Sequence, residues 1–240
     1  MAADSRLTLT FDDPSAPTPI TPPPSAGGSP IPTAAPRNKV SVPQSDAQQK
    51  LFVVQNRVGI STFGNASIGT LPISGFIESF ILTLKKDVSP QEVSEELLTY
   101  FKNIDPSLAT SFHVAGYNVK NGEVSAETWG IDIANSTKQE WNAGNQGAAW
   151  GGMSDIMSRM VMQVYQKDAA GNYNPMPFYE IPWNWFTLQD AVDFAVHAVR
   201  STIDTMRFMM RLRTVGGPID VLVIKPDGSE WLQKKKLVVS

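Results

Sequence analysis

A chain of 240 residues with 42% hydrophobic and 18% charged side chains can bury a large core, which excludes wholesale disorder. Its net charge of −3 excludes the basic surface that nucleic acid or an anionic membrane would require. With no cysteine and two histidines, disulfides, a thiol nucleophile and a zinc centre are excluded as starting points, and no cofactor or metal is expected.

Residues 1–13 contain no basic stretch followed by an apolar run, and no apolar segment approaches the ~20 residues of a membrane helix, so a cytoplasmic location without membrane contact is expected. Residues 12–44 hold ten of the 18 prolines, mixed with Ser, Thr, Ala and Gly. Proline fixes φ and lacks an N–H donor, so this stretch reads as a flexible insertion between two strands. Leu51–Val54 and Val58–Ile60 read as strands joined by a tight turn at Gln55-Asn56-Arg57. From Pro72 onward, Ile73, Phe76, Ile77, Phe80, Ile81 and Leu84 mark one face of a helix. A second helix opens at Ser89-Pro90-Gln91-Glu92, where Ser caps and Glu92 closes a capping box.

Phe112–Tyr117 and Glu123–Ile133 are expected strands turned at Lys120-Asn121-Gly122. A short strand at Gly147–Trp150 leads to a helix carrying Ile156, Met157, Met160, Val161 and Val164. The longest helix is predicted from Thr187, capped with Asp190, to about Met210. Ile219–Ile224 reads as a buried strand, and Pro226-Asp227-Gly228 turns into a last strand holding Trp231. The run Lys234-Lys235-Lys236 reads as a solvated tail, and His113 and His197 as structural histidines. Helices come in blocks rather than alternating with strands, which favours an α+β fold of two mainly antiparallel sheets between helix pairs.

Several local motifs, in order, carry a resemblance. Met1-Ala2-Ala3-Asp4-Ser5-Arg6 looks like an Ala-(Thr/Ala)-Asp-x-Arg strand, and Lys50-Leu51-Phe52 with Val58–Gly64 like the two strands and glycine turn that follow it. Gly116-Tyr117-Asn118, Trp150-Gly151-Gly152 and Val215-Gly216-Gly217-Pro218-Ile219-Asp220 continue the pattern. Together they resemble a proteasome-type subunit of the N-terminal-nucleophile (Ntn) hydrolase superfamily over nearly the whole chain, residues 12–44 excepted. The resemblance implies a single domain over 1–240 with a four-layer αββα sandwich. It also implies assembly into a ring-like homo-oligomer and hydrolysis of peptide or other amide bonds, with peptides or unfolded proteins as substrates.

The family's nucleophile is a Thr, Ser or Cys that opens the mature chain, its own α-amine acting as base. No such residue stands here, because Thr8 and Thr10 are internal. Either a strand bearing the nucleophile lies upstream of Met1, which would then be an internal methionine, or the nucleophile is lost and the chain is a structural or binding relative. Among the family's supporting groups, Asp4 matches the aspartate that holds a catalytic lysine, Arg6 a structural arginine, and Gly64 the glycine whose N–H faces the oxyanion. The lysine itself is expected about four residues before Lys50-Leu51, where Asp46 stands. Gly151, Leu212 and Val215 occupy the family's Ser, Asp and Ser positions, with Asp155 and Asp204 as possible substitutes. Met206–Met210 and the aromatics near Trp183 are expected at contact surfaces.

Overall fold

The structure, a computed structural model, describes residues 1–12, 39–120, 122–141 and 143–236. In chain order the strands and helices are β1 (Ala2–Ala3), β2 (Leu7–Asp12), β3 (Lys39–Ser45), β4 (Leu51–Val54), β5 (Val58–Gly64), β6 (Ser67–Ile68), β7 (Leu71–Pro72), α1 (Ile73–Thr83) and α2 (Pro90–Ile104). They continue as β8 (Thr110–Lys120), β9 (Glu123–Asp132), β10 (Thr137–Trp141), α3 (Asp155–Val161), β11 (Tyr165–Lys167), β12 (Tyr173–Pro175), α4 (Leu188–Met206), β13 (Asp220–Lys225) and β14 (Gly228–Gln233).

The fold is mixed α and β, with its sheets antiparallel. The largest sheet has the order β10-β9-β8-β5-β4, and a three-stranded sheet has the order β1-β13-β14. Gln55 and Asn56 both have positive φ, 48° and 60°, and Arg57 N–H closes on the Val54 carbonyl at 3.0 Å, which produces the tight turn between β4 and β5. Alternation then sorts the faces. Phe52, Val54, Val58, Ile60, Phe112, Val114 and Ile131 meet Ile73, Ile77 and Phe80 of α1 and Val93, Leu97 and Phe101 of α2 in one buried cluster. Each such side chain contributes about 1.5–3 kcal/mol on leaving water.

Both helix starts follow from local chemistry. Ser89 accepts from Glu92 N–H while Glu92 reaches back to Ser89 N–H, and Thr187 and Asp190 repeat the arrangement on α4.

Strand β13 packs across the opposite face, against β5 and β8. Gly59 permits that approach, since a Cβ there would lie 2.6 Å from both Met1 Sδ and Ile224 Cδ1. Helix α4 covers β1 and β13, and α3 packs on α4.

Four expectations change. No strand forms at residues 147–150; β10, which the sequence reading missed, pairs with β9 instead through a turn in which Ser136 has φ 56°. Helix α4 stops at Met206, and that side chain is fully buried rather than part of a contact surface. Helix α3 ends at Val161, short of Val164, because Met162 is extended. Strand β3 occupies residues 39–45 and pairs with β2, with Thr8 opposite Pro43, so strand replaces linker at both ends of the Pro-rich stretch. In a two-stranded sheet every strand is an edge, and an edge accommodates proline's missing donor. The remainder of the expected insertion, residues 13–38, lies outside the described residues.

Candidate functional site

A cleft of about 1360 Å³ is lined by residues 1–4, by the inner face of β5, β8 and β9, and by α4. Its walls are mostly small or apolar: Ala2, Ala3, Ala115, Phe194, Ala195 and Ala198. β1 is the edge of its sheet, so one of its sides carries backbone groups with no strand partner among the described residues.

The lining includes an ion pair. Lys50, just ahead of β4, donates to Asp4 Oδ1 at 2.8 Å, and the two side chains are 16% and 12% exposed. The other carboxylate oxygen accepts from Gly216 N–H at 3.0 Å and Arg6 N–H at 3.1 Å. Asp4 is therefore fixed on both oxygens, which keeps the lysine in place.

Arg6 does not join this pair. Its guanidinium takes Asp46 in a bidentate contact at 2.6 and 2.7 Å and also donates to the Arg213 carbonyl at 3.2 Å. The hydrogen bonds from Arg6 hold the Asp46 carboxyl below the usual carboxylate range. The Gly216-Gly217 turn is shaped around this contact. A Cβ on Gly216 would lie 2.5 Å from Arg6 Cζ, and one on Gly217, whose φ is 76°, 2.8 Å from Asp46 Cβ.

Gly64 closes β5 with φ 98°, and a Cβ there would stand 2.4 Å from the Ala109 carbonyl oxygen, so only glycine brings the backbone to the cleft in this conformation. Phe63 lies against Gly151 and stacks on His113 at 4.9 Å between ring centroids. His113 also lines the cleft, and burial pushes its imidazole pKa down to about 4, so it is neutral at physiological pH. Thr8, Thr62 and Thr214 also line the cleft, and their buried hydroxyls have no hydrogen-bond partner among the described residues.

No protein-family model and no curated protein matches this chain. The site is therefore defined by its geometry alone.

Of the residues singled out in the sequence, Asp4 and Gly64 both line the cleft, and so do Gly151 and Val215. The lysine sought about four residues before Lys50-Leu51 is absent there: Lys50 itself pairs with Asp4, while Asp46 is committed to Arg6. Residues 47–50 are irregular between β3 and β4, and Lys50 is the lysine that reaches the carboxylate. Asp155 is also committed, to Arg211 at 3.0 Å. Residues 234–236 are not uniformly a solvated tail. The Lys235 side chain is 10% exposed and bonds to the buried Asp220 carboxylate. A run of three lysines gave no signal that its middle member turns inward.

Among the described residues, no group of three or more His, Asp or Glu side chains could hold a metal ion, and no helix is long and apolar enough to cross a membrane.

Proposed function

We propose that this chain adopts the four-layer αββα arrangement of proteasome-like Ntn hydrolases, and that its cleft is an amide-hydrolysing site completed by an amino-terminal Thr, Ser or Cys. The Lys50–Asp4 pair at 2.8 Å carries this reading. A lysine fixed by a carboxylate, in a cleft that Gly64 also lines, supplies positive charge where a nucleophile oxygen would sit.

The open side of β1 supports the same reading. Strands pair at about 4.8 Å and sheets pack about 10 Å apart, so a strand of eight or nine residues occupies roughly the volume of this cleft. Such a strand, paired with β1 and beginning beside Lys50, brings its first residue to the site. Its hydroxyl or thiol attacks the substrate carbonyl, its own α-amine takes the proton, and the Gly64 amide faces the developing oxyanion. The C–N bond then breaks as the α-ammonium returns that proton to the departing amine, and water, deprotonated by the α-amine, hydrolyses the acyl–enzyme to the carboxylic acid and the free nucleophile.

A second reading, a non-catalytic structural or binding subunit on the same fold, is favoured by Gly151, Leu212 and Val215, which replace three polar supports with apolar atoms. A panel of fluorogenic peptides separates the two. Cleavage by a form opening with a Thr-initiated strand ahead of Met1, abolished by Thr→Ala, supports the hydrolase. No cleavage by that form, when folded and assembled, supports the structural subunit.

A further inference from the structure

We infer that Lys235 is a positioning residue, through which the segment after β14 locks residues 4–5 from the side opposite the cleft. Asp4 and Arg6 line the cleft; Ser5 and Lys235 do not. Ser5, between β1 and β2, is fully buried. There the Ser5 hydroxyl donates to the Pro218 carbonyl at 2.8 Å and accepts from Lys235 Nζ at 3.0 Å. The Lys235 ammonium also bonds to Asp220, and its backbone N–H reaches the same carboxylate at 2.7 Å. Asp220 is 2% exposed, so without Lys235 its charge would be buried unpaired.

The cluster matters because of what it adjoins. Ser5 N–H donates to the Gly216 carbonyl at 3.0 Å, and Gly216 N–H donates to Asp4 Oδ2 at 3.0 Å. The turn at residues 216–218 is thus stitched to residues 4–5 by backbone and side chain alike. Lys235 bridges the serine between β1 and β2 and the aspartate that opens β13. An ammonium suits the position, since its three donors serve two acceptors on different elements. Asp4 is consequently held from two sides, by Lys50 within the cleft and by the Ser5–Lys235–Asp220 cluster behind it. This role does not depend on whether the cleft hydrolyses amides.

Amide hydrogen exchange of the full chain tests the inference without any catalytic assay. Lys235→Met is expected to accelerate exchange at Ser5 and Gly216 at least tenfold while leaving Val93 and Phe101 in α2 within twofold of wild type. Should Lys235→Met fail to fold, Ser5→Ala keeps the Lys235–Asp220 pair and removes the hydroxyl that joins Lys235 to the Pro218 carbonyl, and is expected to accelerate Gly216 in the same selective way. Unchanged exchange at Gly216, or equal acceleration at Gly216 and α2, in whichever variant folds, would overturn it, since the cluster would then contribute nothing or only global stability.

Discussion

Gly64 and Ala109 approach so closely that a single added methyl cannot be accommodated: the Cβ of any other residue at 64 would lie 2.4 Å from the Ala109 carbonyl oxygen. With φ at 98°, the strain is added to the clash. Gly64→Ala is therefore expected to lower stability by at least about 2 kcal/mol, read from urea midpoints at constant m. A change below a few tenths would mean that the end of β5 can relax away from Ala109.

Lys50→Met leaves the Asp4 carboxylate largely buried with only its two backbone donors. Removing one partner of a buried pair destabilises by about 3–5 kcal/mol, and the residual exposure of this pair puts the expected loss at or below the lower end, about 2–3 kcal/mol. Adding Asp4→Asn to Lys50→Met should recover part of that loss, because the unpaired charge is removed. A double-mutant cycle with no coupling would contradict the pairing.

The imidazole of His113 gives a pH signature. Its folded pKa of about 4 lies below the unfolded value of 6.5, so the unfolded chain binds the extra proton first as pH falls. This group's contribution is fully present above pH 6.5 and is lost on acidification towards about 4, amounting to about 3 kcal/mol at most. His113→Gln should flatten the stability profile across that window. An unchanged slope in the variant would show that other groups set it.

Much of the fold was legible because its signals are local. Ser89 with Glu92 and Thr187 with Asp190 announce helix starts within four residues, and Gln55-Asn56 announces a turn. The site was only half legible. Asp4 and Gly64, read as site residues, both line the cleft, but the lysine beside Asp4 was sought at residue 46, where Asp46 stands, and the one that reaches it is Lys50. Lys235 was hidden among identical neighbours, and its partners Ser5 and Asp220 lie 230 and 15 residues away. The apolar text of residues 147–150 suggested a strand, but a strand requires a partner, and the free edge of β9 had been taken by β10.

Assembly is the reading's prediction at larger scale. Phe208 and Met210 are 84% and 108% exposed, and Tyr179 and Trp185 are 88% and 84% exposed, an apolar surface that a ring contact would cover. Light scattering at micromolar concentration is expected to report a closed multi-subunit particle. A monomeric mass throughout the concentration range would remove the ring.

The central claim is that the part of the cleft beside Lys50 activates an amino-terminal nucleophile. Intact-mass spectrometry after treatment with a peptidyl electrophile tests it most directly, using a form extended ahead of Met1 by a Thr-initiated strand. The account predicts one adduct on that first residue, and at least a tenfold slower rate in Lys50→Met at equal folded fraction. No adduct on the folded, assembled protein, or a rate indifferent to Lys50, would contradict it.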